Sequence, residues 1–70
     1  MLTALEEKTL KVEVKSVEFV LNTIIENRNI LVGDGLTKLS ERVDRMINRL
    51  EDRYDNEESI IALRQRFNSL

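Results

Sequence analysis

Cysteine, histidine, proline and tryptophan are all missing from the 70 residues of this chain; glycine occurs twice and aromatic residues make up 4%. Each absence excludes something. Without cysteine there is no disulfide staple, no thiolate nucleophile and no soft metal ligand. Without histidine no side chain has an unperturbed pKa near neutrality, so acid–base chemistry would fall to Asp, Glu, Lys, Arg, Ser or one Tyr. The shortage of aromatics argues against a β-sandwich, and 41% apolar residues suit helix packing. A single chain of this size buries only roughly 60% of its unfolded surface, so oligomerisation or long, well-packed helices must supply the missing support. The composition therefore predicts a single all-α domain over 1–70 that is homo-oligomeric.

Charge excludes less. Eleven Lys or Arg against thirteen Asp or Glu leave a net charge of -2, with no global field to advertise nucleic acid or an anionic membrane. No apolar run approaches the ~20 residues of a membrane span, and the segment Met1 to Glu7 is too acidic and interrupted for a signal peptide. The expectation is a soluble, cytoplasmic protein without metal or cofactor.

What is present is helical periodicity. Leu10, Val14, Val17, Leu21, Ile24, Arg28 and Leu31 follow an alternating four-three spacing, the seam of an amphipathic helix expected over 4–31. Thr3 and Glu6 offer a capping box at its start. Leu10 to Lys15 also alternates apolar with charged, so a strand at 9–15, paired with another chain, stands as the competing expectation. Gly33 and Gly35 mark a turn at 32–35, with Gly33 as the left-handed residue beyond the first helix and Asp34 as N-cap of the next. Leu36, Leu39, Val43, Met46, Ile47, Leu50 and Tyr54 then predict a helix over 36–54. Asp55 to Glu58 interrupts the stripe; Asp55 or Asn56 caps a third helix over 57–69 carrying Ile60, Leu63, Phe67 and Leu70, or the second helix bends. A first helix of about 42 Å exceeds any sphere of this mass, whose radius of gyration is near 11 Å, so the expected protomer is an elongated antiparallel helical hairpin with coiled-coil-like packing and a short third helix.

The faces of the helices carry the functional expectations. Leu10, Val14, Val17, Leu21, Ile24, Leu39, Val43, Met46 and Leu50 are the expected core or oligomer seam. Val12, Phe19 and Ile30 fall opposite the first seam at 100° per residue, which predicts a second covered surface; isolated exposed apolar residues are the ordinary alternative. Arg28 within the seam either specifies oligomer register or sits near the helix end and reaches water. On the second helix Lys38, Arg42, Arg45, Arg49 and Arg53 occupy about 80° of surface, with Glu41, Asp44, Asn48, Glu51 and Asp52 on the opposite flank. Such a strip meets acidic residues of a partner helix or phosphates, or is simply a solvated flank. Gly33-Asp34-Gly35 lacks the spacing of a phosphate-binding loop, and the acidic run at 52–58 lacks an EF-hand pattern.

Leu39-Ser40-Glu41-Arg42-Val43-Asp44-Arg45-Met46-Ile47 resembles the Leu-Ser-Gln-x-Leu-Asp-x-Leu-Ile segment of the short bacterial aspartyl-phosphate phosphatases that act on sporulation response regulators. The resemblance covers about nine residues; Glu41 replaces the family's Gln, and the preceding helix and loop differ in spacing. It implies a small two-helix hairpin whose Asp44 acts on a phosphoaspartate in another protein. Three functional expectations follow: a non-catalytic module that binds itself or another protein, a bacterial or phage adaptor or inhibitor for example; a phosphatase-like regulator; or a nucleic-acid accessory protein using the basic strip.

Overall fold

The structure is a computed structural model that describes residues 2–30 and 33–70. Its first helix, α1, spans Ala4–Asn27. The capping box is formed: the Glu6 N–H donates to Thr3 Oγ1 at 3.1 Å and the Thr3 N–H donates to Glu6 Oε1 at 3.0 Å. Two otherwise orphaned donors are thereby satisfied. Residues 9–15 are helical, so the strand alternative is not realised in this structure. Sustained apolar spacing over about four turns outweighs the local β preference of Val12 and Val14.

The first helix ends four residues earlier than its periodicity predicts. Arg28 is the C-cap, and the Ile30 N–H donates to the Asn27 carbonyl at 2.8 Å in a tight turn. Asn27, Arg28 and Asn29 offer nothing apolar to bury, and the Asn27 amide donates to the Thr23 carbonyl at 2.8 Å, the side-chain competition with backbone that weakens helix interiors. Arg28 is exposed there, in keeping with the reading of a cation near a helix end. The last expected seam position, Leu31, and the first turn residue, Val32, lie outside the described residues.

Helix α2 spans Asp34–Arg53, beginning two residues before its expected start at 36. Gly33 has φ 59° and ψ -128° and is the N-cap of α2 rather than a residue closing α1; Asp34 enters the first turn, where its carboxylate faces the positive end of the helix. Open space surrounds Gly33, so the positive φ, not crowding, is what favours glycine. The second helix neither bends nor continues. Tyr54 is extended, Asn56 is left-handed at φ 53°, and α3 runs Glu58–Asn68 with Glu57 as N-cap. Neither Asp55 nor Asn56 caps α3 with its side chain; the Glu57 carbonyl accepts from Ile60 and Ile61 instead.

All three helices touch one another. Glu13, early in α1, meets Arg53 at the end of α2, so the first two helices are antiparallel, and α3 doubles back alongside both. The described residues measure 41 × 16 × 16 Å with a radius of gyration of 12.9 Å. The core gathers Leu10, Val14, Val17, Leu21 and Ile24 from α1, Val43, Ile47 and Leu50 from α2, and Ile60 and Leu63 from α3, with Tyr54 buried in the break before α3. An elongated hairpin was the expectation for the first two helices; α3 turns it into a three-helix bundle by covering the side of the α1 seam that α2 leaves open.

Candidate functional site

The α1–α2 side of the bundle is where apolar surface stays outside. Leu5 is 74% exposed, Val12 65% and Phe19 73%, all on the outward face of α1. Thr9, Ser16 and Thr23 follow them, each four residues on, and the six positions repeat the four-three spacing of the buried seam. Each hydroxyl donates to the carbonyl four residues back: Thr9 to Leu5 at 3.0 Å, Ser16 to Val12 at 3.1 Å, Thr23 to Phe19 at 2.8 Å. Their protons are thus committed to the helix, and the face presents large apolar and small groups in alternation. Val12 and Phe19 stand out in the sequence as apolar residues opposite the seam, whereas Leu5 and the three hydroxyl residues do not; the same heptad spacing is their signal, masked by the polar character of Ser and Thr. Ile30 is 76% exposed but lies in the turn after α1, so it does not extend this helical stripe.

Beside that stripe the two helices enclose a groove of about 690 Å³. Val12, Phe19 and Val20 form its α1 side, Leu39 and Met46 its α2 side, and Lys15 and Arg42 stand at the rims. Leu39 and Met46, expected within the seam, are half-buried at its edge; the other expected seam residues are buried. A larger hollow of about 780 Å³ lies between the first four turns of α1 and the start of α3; three glutamates (Glu7, Glu18 and Glu57) against two lysines (Lys11 and Lys15) make its rim mixed and slightly acidic.

The basic strip borders the groove. Lys38, Arg42, Arg45, Arg49 and Arg53 are all exposed. Arg53 donates to Glu13 Oε1 at 2.7 Å; among the described residues the other four make no ion pair. Glu13 Oε2 is shielded from solvent and accepts no hydrogen bond.

The opposite flank of α2 is engaged within the fold, by a residue that the sequence reading did not single out. Arg64 of α3 donates to Asp44 Oδ1 at 2.7 Å, to Asn48 Oδ1 at 2.6 Å, and through two nitrogens to Glu51 at 3.2 and 2.9 Å. Its guanidinium also lies 5.7 Å from the centroid of the Phe67 ring. Hydrogen bonding from Arg64 holds the Glu51 carboxyl below its usual range, and bonding to Glu51 and Asp44 raises the Arg64 pKa. Asp44, to which the phosphatase resemblance assigns the chemistry, is occupied by this clasp, and Ser40 is half-buried. Among the described residues no acidic cluster is disposed to hold a metal ion, and no helix is long and apolar enough to cross a membrane. Comparison with protein-family models, curated proteins and solved structures finds no match for the chain.

Proposed function

We propose that the protein is a non-catalytic helical interaction module that binds other protein chains through its α1–α2 face. The observation that carries this reading is the outward seam of α1, where Leu5, Val12 and Phe19 alternate with hydroxyl residues beside the Leu39 and Met46 edge of α2, left uncovered by a bundle that already has a buried core. Single exposed apolar residues are ordinary, but six positions at coiled-coil spacing next to an apolar groove form a contiguous surface of the kind a helix packs against. A second copy of the chain and a different protein are both able to cover it.

A photo-crosslinking amino acid installed at position 19 tests this in the cell of origin, with position 61 on α3 as a control that is also exposed. The expected result is a protein adduct from position 19 and little or none from position 61. Equal yields at the two positions, or none at 19, would remove the reading.

A further inference from the structure

Building on that reading of the α1–α2 face, we infer that its occupant is an acidic amphipathic helix of another protein, and that the basic strip of α2 is the part of the surface that selects it. Three features of the groove define the occupant. Val12 and Phe19 are seven residues apart on α1, as are Leu39 and Met46 on α2, so each wall has two apolar steps about 10.5 Å apart along its helix. That repeat matches a helix laid lengthwise in the groove with apolar residues at i, i+3 or i+4, and i+7. Both rims are cationic: Lys15 stands on the α1 side, with Lys8 seven residues before it on the same flank, while Arg42 stands on the α2 side, with Lys38 and Arg49 along the strip. None of these α2 cations has an ion-pair partner among the described residues, so each keeps its donors for something outside the bundle.

The same charges disfavour a second copy. If α1 of another molecule lay in the groove by its own outward seam, one flank of that seam would bring two lysines, Lys8 and Lys15, against a single carboxylate, Glu26, toward the cations of α2. The other flank would bring Glu13, whose carboxylate is already held by Arg53. A helix with Asp or Glu on both flanks meets neither obstacle, and charge complementarity of this kind chiefly sets partner choice and association rate. Nucleic acid would satisfy the cations but leave the apolar floor without a partner.

The experiment uses the full chain, labelled for NMR, and three synthetic helical peptides. The first has leucines at i, i+3 and i+7 with Glu on both flanks, the second replaces Glu by Lys, and the third keeps Glu but replaces the leucines by Ala. The expected result is that the first peptide binds at least about tenfold tighter than either other, weakens as salt is raised to roughly 0.3 M, and shifts signals at Val12, Phe19, Leu39 and Met46. The double variant Arg42→Glu, Arg49→Glu should reverse the preference toward the Lys peptide; both residues are exposed and unpaired, so circular dichroism should show the fold unchanged. Glu and Lys peptides bound alike in the groove, a concentration-dependent dimer closed through Phe19, or a DNA duplex that displaces the Glu peptide would each overturn the acidic occupant while leaving the face as a binding surface. No peptide bound and no self-association would overturn the reading of the face itself.

Discussion

On the flank of α2 that faces α3, Asp44, Asn48 and Glu51 converge on Arg64, whereas on the flank beside α1 the cations Lys38, Arg42, Arg45 and Arg49 point outward without a carboxylate partner among the described residues. One helix thus carries two charged flanks that the fold treats differently. On the acidic flank Asp44, Asn48 and Glu51 are bonded to Arg64, which ties α3 against α2, while Glu41 and Asp52 stay exposed with no ion pair among the described residues. The basic flank takes no comparable part in the fold and borders the apolar groove. The same contrast runs across α1: the Leu10 to Ile24 seam is covered on both sides, by α2 and α3, while the Leu5 to Thr23 seam is covered by neither. A residue type therefore says little about its role here; what matters is which of the three grooves of the bundle its flank adjoins.

The sharpest break of that comparison is made on α1 itself. Leu21 is fully buried and Phe19, two residues before it, is 73% exposed. Replacing Leu21 by Asp places an unpaired carboxylate in the core and should cost more than about 4 kcal/mol, enough to abolish cooperative urea unfolding in a domain this small. Phe19→Asp should move the urea midpoint by no more than about 0.5 kcal/mol equivalent. Similar losses for the two would mean that Phe19 is covered in the working protein, by a second copy or by a fold different from this bundle.

Much of this architecture is legible in the sequence, and the illegible parts have identifiable causes. The α1 seam was readable because Leu10, Val14, Val17, Leu21 and Ile24 repeat one spacing without interruption, and the Thr3–Glu6 box because its two partners are three residues apart. The end of α1 was not, since it depends on Asn27 turning its amide onto the backbone and on three successive polar residues with nothing to pack. Nor could periodicity show that α3 closes the bundle. The spacing of Ile60, Leu63 and Phe67 gives the helix a face but not a neighbour. The role of Arg64 is illegible for the same reason: its acceptors at 44, 48 and 51 lie on another helix and converge only once the chain has turned at Tyr54 to Glu57. The outward stripe is only half legible, because hydroxyl residues look polar until their protons are seen bonded to the helix.

The two flanks of α2 can be set against each other by one substitution on each side. Arg64→Met keeps most of the side-chain volume but strands Asp44, Asn48 and Glu51; a partly exposed network of charge-assisted bonds should lose about 1–2 kcal/mol. Arg49→Met removes an unpaired cation and should lie within about 0.5 kcal/mol of the parent. Chemical denaturation of both variants checks the pair, and equal costs would show that the basic flank also stabilises the fold. A smaller effect belongs to the start of α1. Thr3→Ala removes the hydroxyl acceptor of the capping box and should cost about 0.5–1 kcal/mol at most. Hydrogen exchange should quicken over the first turns and stay unchanged around Leu21, because those turns hold little of the core.

Acidification offers the finest probe of the clasp, and its sign follows from the pKa shifts. Glu51 has its carboxyl lowered, chiefly by hydrogen bonds from Arg64, from an ordinary value of 4.5. A depressed carboxylate contributes stability that is fully present above its unfolded pKa and lost as pH falls through the folded one. Arg64, whose own pKa is raised, stays charged throughout, so the loss reflects protonation of the acceptor alone. Glu6, lowered by its bonds to the Thr3 backbone and hydroxyl, adds a contribution of the same sign at the other end of the molecule. Melting temperatures of the parent should therefore fall as pH drops below about 4.5, and the Arg64→Met variant should show a shallower fall because only the Glu6 share of these two remains. Thermal melts by circular dichroism from about pH 7 to pH 3 at constant ionic strength measure both slopes. Parallel curves for parent and variant would mean that Arg64 and Glu51 are not paired in solution, and the acidic flank of α2 would then be as free for a partner as the basic one.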